Sequence, residues 1–228
     1  EKGYTVSYGM EDYLAQKESA EKIIMLQDKG KENNILPYMK DVKEGDLTLA
    51  QVVDAAIKFL ENEKGFFIMA EGGKIDWAAH SNDLANTIFE TLDFDAAVEV
   101  AYKFYQQHPD ETLIVVTADH ETGGITLGSK TGYNFDLTII KEIFDDIKKG
   151  ENKEEVESGE TPDVFSYMSE KEVISYVSDK ANIGWTTMSH TGGAVPVFAI
   201  GAGSSLFSGR MDNTEIPKKI CEAAGIKF

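Results

Sequence analysis

The chain has 228 residues, of which 42% are apolar, and this is enough to bury a sizeable core in one α/β domain with an elaboration. Its 22 basic and 40 acidic residues give a net charge of −18, which disfavours nucleic acids and anionic membrane surfaces as partners. No apolar run approaches the ~20 residues needed to cross a bilayer, so we expect no membrane span. With a single cysteine, Cys221, the chain cannot form an intrachain disulfide.

The opening residues have the pattern of a chain interior. Residues 1–8 are typical of the last turn of a helix, a glycine stop and a short strand, so we expect that sequence upstream has been removed. The apolar run at 22–26 indicates a second strand. Further on, Thr48 and Gln51 form a capping box that starts an amphipathic helix.

The motif around which the chain is organised is EGGKIDWAAH, residues 71–80. It follows an apolar run, residues 65–70, that predicts a buried strand, and it leads into a helix that we expect to begin near Trp77. Asp76 and His80 are four residues apart, so one helical face presents both and they can bind one cation.

Glu71 stands at the end of the predicted strand. We expect Gly72 and Gly73 to let the backbone turn sharply and bring its carboxylate alongside the helix. A simpler interpretation of this motif alone is a helix-capping Asp with a surface His one turn later. After it, apolar residues at mostly four-residue steps predict a long helix that Pro109 closes.

Two further motifs also combine an apolar run with metal-ligand side chains. TLIVVTADHETGG, residues 112–124, predicts a buried strand whose carboxyl end delivers Asp119 and His120, where ligands bind in open α/β sheets. SHTGGAVPVFAIG, residues 189–201, places His190 at the start of a third apolar run. Three of the four histidines therefore lie in such motifs, which favours a metal site.

The order EGGKIDWxxH, TADHETGG and SHTGGAVPV resembles the carboxyl-terminal half of alkaline phosphatases, and the resemblance extends to residues 206–209 and 211–214. It implies an α/β fold with a central β-sheet flanked by helices, here a partial domain. It also implies the ligands of two zinc ions and one magnesium ion: Asp76, His80 and His190 for the first zinc, Asp119 and His120 for the second, and Glu71 for magnesium. Trp77 falls where family members tune phosphate and magnesium contacts, although plain packing explains it equally well.

The resemblance further implies hydrolysis of phosphate monoesters by an in-line displacement between paired metal ions. The polar, acidic residues 126–188 correspond to a crown-like insertion near the family's dimer interface, so a homodimer is expected. Such enzymes are usually exported, and we expect a periplasmic or extracellular location, although nothing near Glu1 has the pattern of a signal peptide.

Three features of the family have no counterpart in this sequence: a serine nucleophile in an Asp-Ser-Ala-type motif, a phosphate-clamping arginine, and an upstream aspartate ligand. Arg210 is the only arginine and has the pattern of a surface residue, and Ser189 lacks the helix-opening context of a nucleophile. We therefore expect the parent to be a phosphatase with its amino-terminal half missing here, and this chain to be inactive alone with one intact zinc site.

Two alternatives to this expectation remain. The first is a naturally short, noncatalytic metal-binding or interaction domain. The second is a related phosphodiesterase or cofactor-independent phosphoglycerate mutase, which the motifs at 71–76 and 189–193 fit less well.

Overall fold

The computed structural model describes residues 3–27, 35–128, 138–142 and 168–228. The chain forms two compact units: the first comprises Glu1–Gly73, Phe89–Asp119 and Pro196–Phe228, and the second Lys74–Ile88 and His120–Val195. The predicted insertion at 126–188 lies largely outside the described residues and stays a prediction. No described helix has both the length and the apolar character that a bilayer span requires.

The described elements mix helices and strands, as the predicted α/β class requires. The helices are α1 (Gly9–Gln16), α2 (Leu49–Leu60), α3 (Gly73–His80), α4 (Leu84–Gln107), α5 (Glu170–Ala181) and α6 (Ile216–Ala223). The strands are β1 (Thr5–Tyr8), β2 (Ile23–Leu26), β3 (Leu113–Val116), β4 (Glu121–Thr122), β5 (Ile125–Leu127), β6 (Ile183–Trp185), β7 (His190–Thr191) and β8 (Phe198–Gly201). They pair as β1–β2, which is parallel, and as β3–β8, β4–β7 and β5–β6, which are antiparallel.

In the first unit, α2 and α4 confirm two predictions about helix ends. The side chain of Thr48 accepts from the backbone N–H of Gln51, and the Gln51 side chain accepts in return from the Thr48 N–H, which is the capping box expected before α2. Helix α4 ends at Gln107, just before Pro109, because proline lacks an N–H and its ring clashes with the preceding turn.

The predicted strand at residues 65–70 is wrong, because no strand forms there. Phe66 and Ile68 pack against the core of α2 and α4, whereas Phe67 is 69% exposed and Met69 is 81% exposed. An apolar run predicts burial on both faces, but a partner is needed on each face to produce it. In the described part of the chain this segment forms no regular element, and only Phe66 and Ile68 pack against the core.

The other two predicted runs do form strands. Strands β3 and β8 pair antiparallel, with Val116 opposite Phe198, so the carboxyl end of β3 lies beside the amino end of β8. This register explains why one motif carries its metal-ligand residues after the strand and the other carries them before it. Neither strand is fully buried as expected: β3 is half-buried, and Phe198 is 64% exposed.

In the second unit, the β4–β7 pair sets Thr122 opposite His190. The turn after β4 requires glycine at two positions. Gly123 has a φ of +85°, and a Cβ there would lie 2.6 Å from the Trp185 ring. Gly124 has a φ of +56°, and a Cβ there would lie 1.8 Å from the Thr186 hydroxyl. The backbone of this turn can therefore approach its neighbours only because both side chains are absent.

Candidate metal centre

Helix α3 presents the first two ligand candidates. It begins at Gly73, four residues before the expected start near Trp77, but this does not change the spacing of Asp76 and His80. They lie one turn apart on one face, and the Nε2 atom of His80 is 3.4 Å from the Oδ1 atom of Asp76. Both side chains are half-buried, so the predicted convergence of this pair is present in the structure.

The β4–β7 pair brings two more histidines together. His120 immediately precedes β4 and His190 begins β7, and their rings stack with centroids 3.5 Å apart and an angle of 22° between their planes. Directly opposed residues of an antiparallel pair share a face, and so do residues two apart along a strand. This register therefore places His120, Thr122 and His190 on one face.

Three ligand atoms from these elements form a compact cluster. The Nε2 atom of His190 is 3.1 Å from the Nε2 atom of His80 and 3.7 Å from the Oδ1 atom of Asp76. Ligand atoms 2.0–2.1 Å from a tetrahedral zinc lie about 3.3 Å from one another. The three separations, 3.1, 3.4 and 3.7 Å, surround that value, so the donor set fits one zinc ion.

A second grouping shares two of these residues. Ligand atoms of Asp76, His120 and His190 all lie within 4.8 Å of one another. The second unit therefore unites four of the six predicted ligands: Asp76, His80, His120 and His190. Imidazole nitrogen with one carboxylate oxygen is a donor set that suits zinc and other first-row transition metals.

Hydrogen bonds behind the ligands orient two of the imidazoles. The Nδ1 atom of His80 lies 2.8 Å from the carbonyl oxygen of Met188, which can only accept, so Nδ1 carries the proton and Nε2 carries the lone pair. The Nδ1 atom of His120 lies 3.1 Å from the hydroxyl of Thr122, and that hydroxyl donates to the Oδ1 atom of Asp76 at 2.6 Å.

None of the sequence motifs predicts these supporting groups. A backbone carbonyl such as that of Met188 has no signature in the sequence, because any residue supplies one. Thr122 is two residues from His120 and shares its face only because β4 forms after the predicted end of the preceding strand. Asn82 was also missed: with its amide nitrogen turned inward, it donates to the carbonyl of Thr187 at 2.8 Å and ties the end of α3 to the segment before His190.

The remaining predicted ligands, Glu71 and Asp119, belong to the first unit and are exposed. The Oε1 atom of Glu71 lies 3.1 Å from the point where Gly73 would carry a Cβ, so the carboxylate does fold against the start of α3. Neither Gly72 nor Gly73 has a positive φ, and Gly73 contributes space instead of an unusual backbone conformation.

Three further residues that were weighed for a role at the site are on the surface. Trp77 is 50% exposed on α3. Arg210 is exposed in the first unit, as its surface pattern predicted. Ser189 is exposed too, and its backbone N–H donates to the Thr187 hydroxyl at 3.1 Å.

Fold and site together define a metal-binding α/β protein. A family model described as alkaline phosphatase matches residues 12–226. The chain belongs to the alkaline phosphatase family.

The chain is 34% identical to alkaline phosphatase 3 of Bacillus subtilis, over 97% of its own length and 52% of the relative's length. It is also 34% identical to alkaline phosphatase 4 of the same organism, over 72% of this chain and 40% of the relative. The chain thus spans about half the length of the curated relatives it matches.

Solved structures confirm the fold class. The cold-active alkaline phosphatase of a psychrophilic Shewanella is 30% identical, with a TM-score of 0.75 over 100% of this chain and 60% of that one. A variant of the TAB5 alkaline phosphatase, solved with magnesium bound, is 28% identical, with a TM-score of 0.68 over 99% of this chain and 54% of that one. The α/β fold expected from the sequence is therefore confirmed, and so is the resemblance to alkaline phosphatases that the motifs indicated.

Proposed function

We propose that Asp76, His80 and His190 hold a zinc ion, and that the chain contributes this centre to the hydrolysis of phosphate monoesters. The observation that carries the proposal is the set of three ligand atoms within 3.1 to 3.7 Å of one another, on a chain of the alkaline phosphatase family. Because three protein ligands leave a fourth tetrahedral position, this is the usual composition of a catalytic zinc site.

The other two ions of the proposed centre follow from the family resemblance. Asp119 and His120 are proposed for a second zinc, and Glu71 for magnesium, which prefers oxygen ligands. The related TAB5 variant with magnesium bound supports a magnesium site in proteins of this kind. Trp77 follows Asp76 on α3 and is proposed as a neighbour of the phosphate.

The chain's residues prepare the site in two ways. The Met188 carbonyl holds the ring of His80 so that its Nε2 lone pair faces Asp76, and the stacked ring of His190 completes the cluster from the β4–β7 pair. His190 is 49% exposed, so the cluster is open to a phosphate oxygen on that side. When bound, paired zinc ions supply Lewis acidity to the attacking and leaving oxygens of an in-line displacement.

The partners and location are proposed on the same resemblance. We place the insertion at 126–188 near a homodimer interface, and the protein in the periplasm or outside the cell. The serine motif of the family has no counterpart in these 228 residues. The nucleophile of the reaction is therefore proposed to come from sequence other than this chain.

The test is zinc-dependent binding of inorganic phosphate, the product of the reaction. The chelator-treated chain would be titrated with phosphate by calorimetry before and after addition of zinc and magnesium. We expect binding only after metal addition, lost in His190→Ala and retained in His108→Ala. His108 is a suitable control because it is the one histidine outside the motifs and stacks on Phe104 in the first unit.

Two results would contradict the proposal in different ways. Zinc binding without any phosphate binding would support the noncatalytic metal-binding alternative. Absence of zinc binding would show that the cluster of Asp76, His80 and His190 is not a metal site in this chain.

A further inference from the structure

The hydroxyl of Thr122 lies between a carboxylate and an imidazole that belong to different predicted zinc sites. Its Oγ1 atom is 2.6 Å from the Oδ1 atom of Asp76, and the Nδ1 atom of His120 is 3.1 Å from that same Oγ1. Thr122 is half-buried in β4, directly opposite His190. Thr122 therefore contacts a ligand candidate of each proposed zinc site.

The chemistry of the three groups determines which of them donates. An ionised carboxylate only accepts, whereas a threonine hydroxyl has one proton to donate and two lone pairs. The hydroxyl proton must therefore point at Asp76, and the oxygen of Thr122 can only accept from His120. His120 must then carry its proton on Nδ1, which places the lone pair on Nε2.

We propose that Thr122 is a positioning residue that couples the two halves of the metal centre. Its hydroxyl holds Asp76 in place for the first zinc and at the same time selects the Nδ1–H tautomer of His120 for the second. This inference rests on the proposed zinc centre, but the tautomer it predicts is a property of the metal-free chain. Hydrogen bonds behind metal ligands of this kind typically change metal affinity by about 10- to 100-fold.

The neighbouring strand offers a matched control. The hydroxyl of Thr191, in β7, donates to the carboxylate of Glu121, which is not among the predicted ligands. Thr191→Val therefore removes the same chemical group from the same two-stranded pair without touching Asp76 or His120. Valine has the shape of threonine, so either substitution changes the hydroxyl and little of the packing.

The first measurement is nitrogen-proton NMR of the imidazoles in the chelator-treated chain at about pH 8.5, where ordinary imidazoles are neutral. Four histidines give a simple spectrum, and His120→Ala identifies the signals of His120. We expect the Nδ1–H tautomer at His120 in the wild type, in Thr191→Val and in Thr122→Ser. In Thr122→Val the tautomer should shift towards Nε2–H, because Nδ1 has lost its acceptor.

The second measurement is zinc titration of the same variants. Thr122→Val should weaken zinc binding about 10- to 100-fold, and Thr122→Ser should stay within about threefold of the wild type. An Nε2–H tautomer at His120 in the wild type, or an unchanged tautomer in Thr122→Val, would overturn the inference whatever the zinc result. Equal losses in the serine and valine variants would also overturn it, because the methyl group would then matter and not the hydroxyl. If the wild type binds no zinc, the proposed function fails while the tautomer result still decides the role of Thr122.

Discussion

Replacing His190 by alanine removes a ligand candidate that belongs to both groupings of the site. Its Nε2 atom is 3.1 Å from that of His80 and 3.7 Å from the Oδ1 atom of Asp76, and without it the first grouping keeps only the pair on α3. Structural zinc sites with four protein ligands bind with about 10–16 kcal/mol, or roughly 2.5–4 kcal/mol for each ligand. At about 1.4 kcal/mol for each factor of ten, His190→Ala should weaken zinc binding by roughly 100-fold or more.

The assay is calorimetric titration with zinc in the presence of a competing chelator. We expect one tight zinc per chain in the wild type and in the control His108→Ala, and its loss in His190→Ala. Because His190 is largely at the surface, the variant should unfold at nearly the same temperature as the wild type. Loss of zinc binding accompanied by unfolding would therefore not count as support.

His120→Ala decides which triad holds the tight ion. If the ion binds to Asp76, His80 and His190, this variant should lose much less zinc affinity than the roughly 100-fold expected for His190→Ala, because His120 is not a ligand of that ion. If His120→Ala removes the tight site and His80→Ala does not, the ion instead binds to Asp76, His120 and His190, which also lie within reach of one another. Equal effects of His108→Ala and His190→Ala would refute the metal centre altogether.

Five further outcomes are expected. The chain with zinc and magnesium should hydrolyse an aryl phosphate many powers of ten below the ~10 s⁻¹ of a typical enzyme, because it has no serine motif; turnover near that value would contradict this. Tyr13→Phe should cost about 1 kcal/mol in urea unfolding, because the buried hydroxyl donates to the Ala55 carbonyl at 2.8 Å. Burial raises the pKa of Tyr13, so wild-type stability should fall as pH rises above about 10, and less so in Tyr13→Phe. Gly123→Ala should destabilise by at least about 2 kcal/mol and weaken zinc binding, as seen by urea unfolding and zinc titration, because of its left-handed backbone and the nearby Trp185 ring. The exposed Phe67 and Met69 should promote self-association, visible in sedimentation and reduced when both are replaced by serine.

Local sequence was sufficient for several parts of this protein. The capping box of Thr48 and Gln51 and the stop at Pro109 depend on hydrogen bonds and sterics within a few residues, so both helix ends could be predicted. The convergence of Asp76 and His80 is likewise a property of one helix. The ligand candidates could also be predicted locally, because each of them lies within a short motif of recognisable spacing.

Other features depended on contacts between distant segments. The apolar run at 65–70 did not become a strand, because strand formation needs a partner that no local pattern supplies. The stacking of His120 on His190, and the position of Thr122 between His120 and Asp76, follow from the antiparallel register of β4 and β7 and from where α3 lies within the second unit. Residue type and spacing therefore determined which side chains could bind a metal. Only the tertiary structure decided which of them lie within 3.7 Å of one another, because that distance depends on packing between segments more than a hundred residues apart.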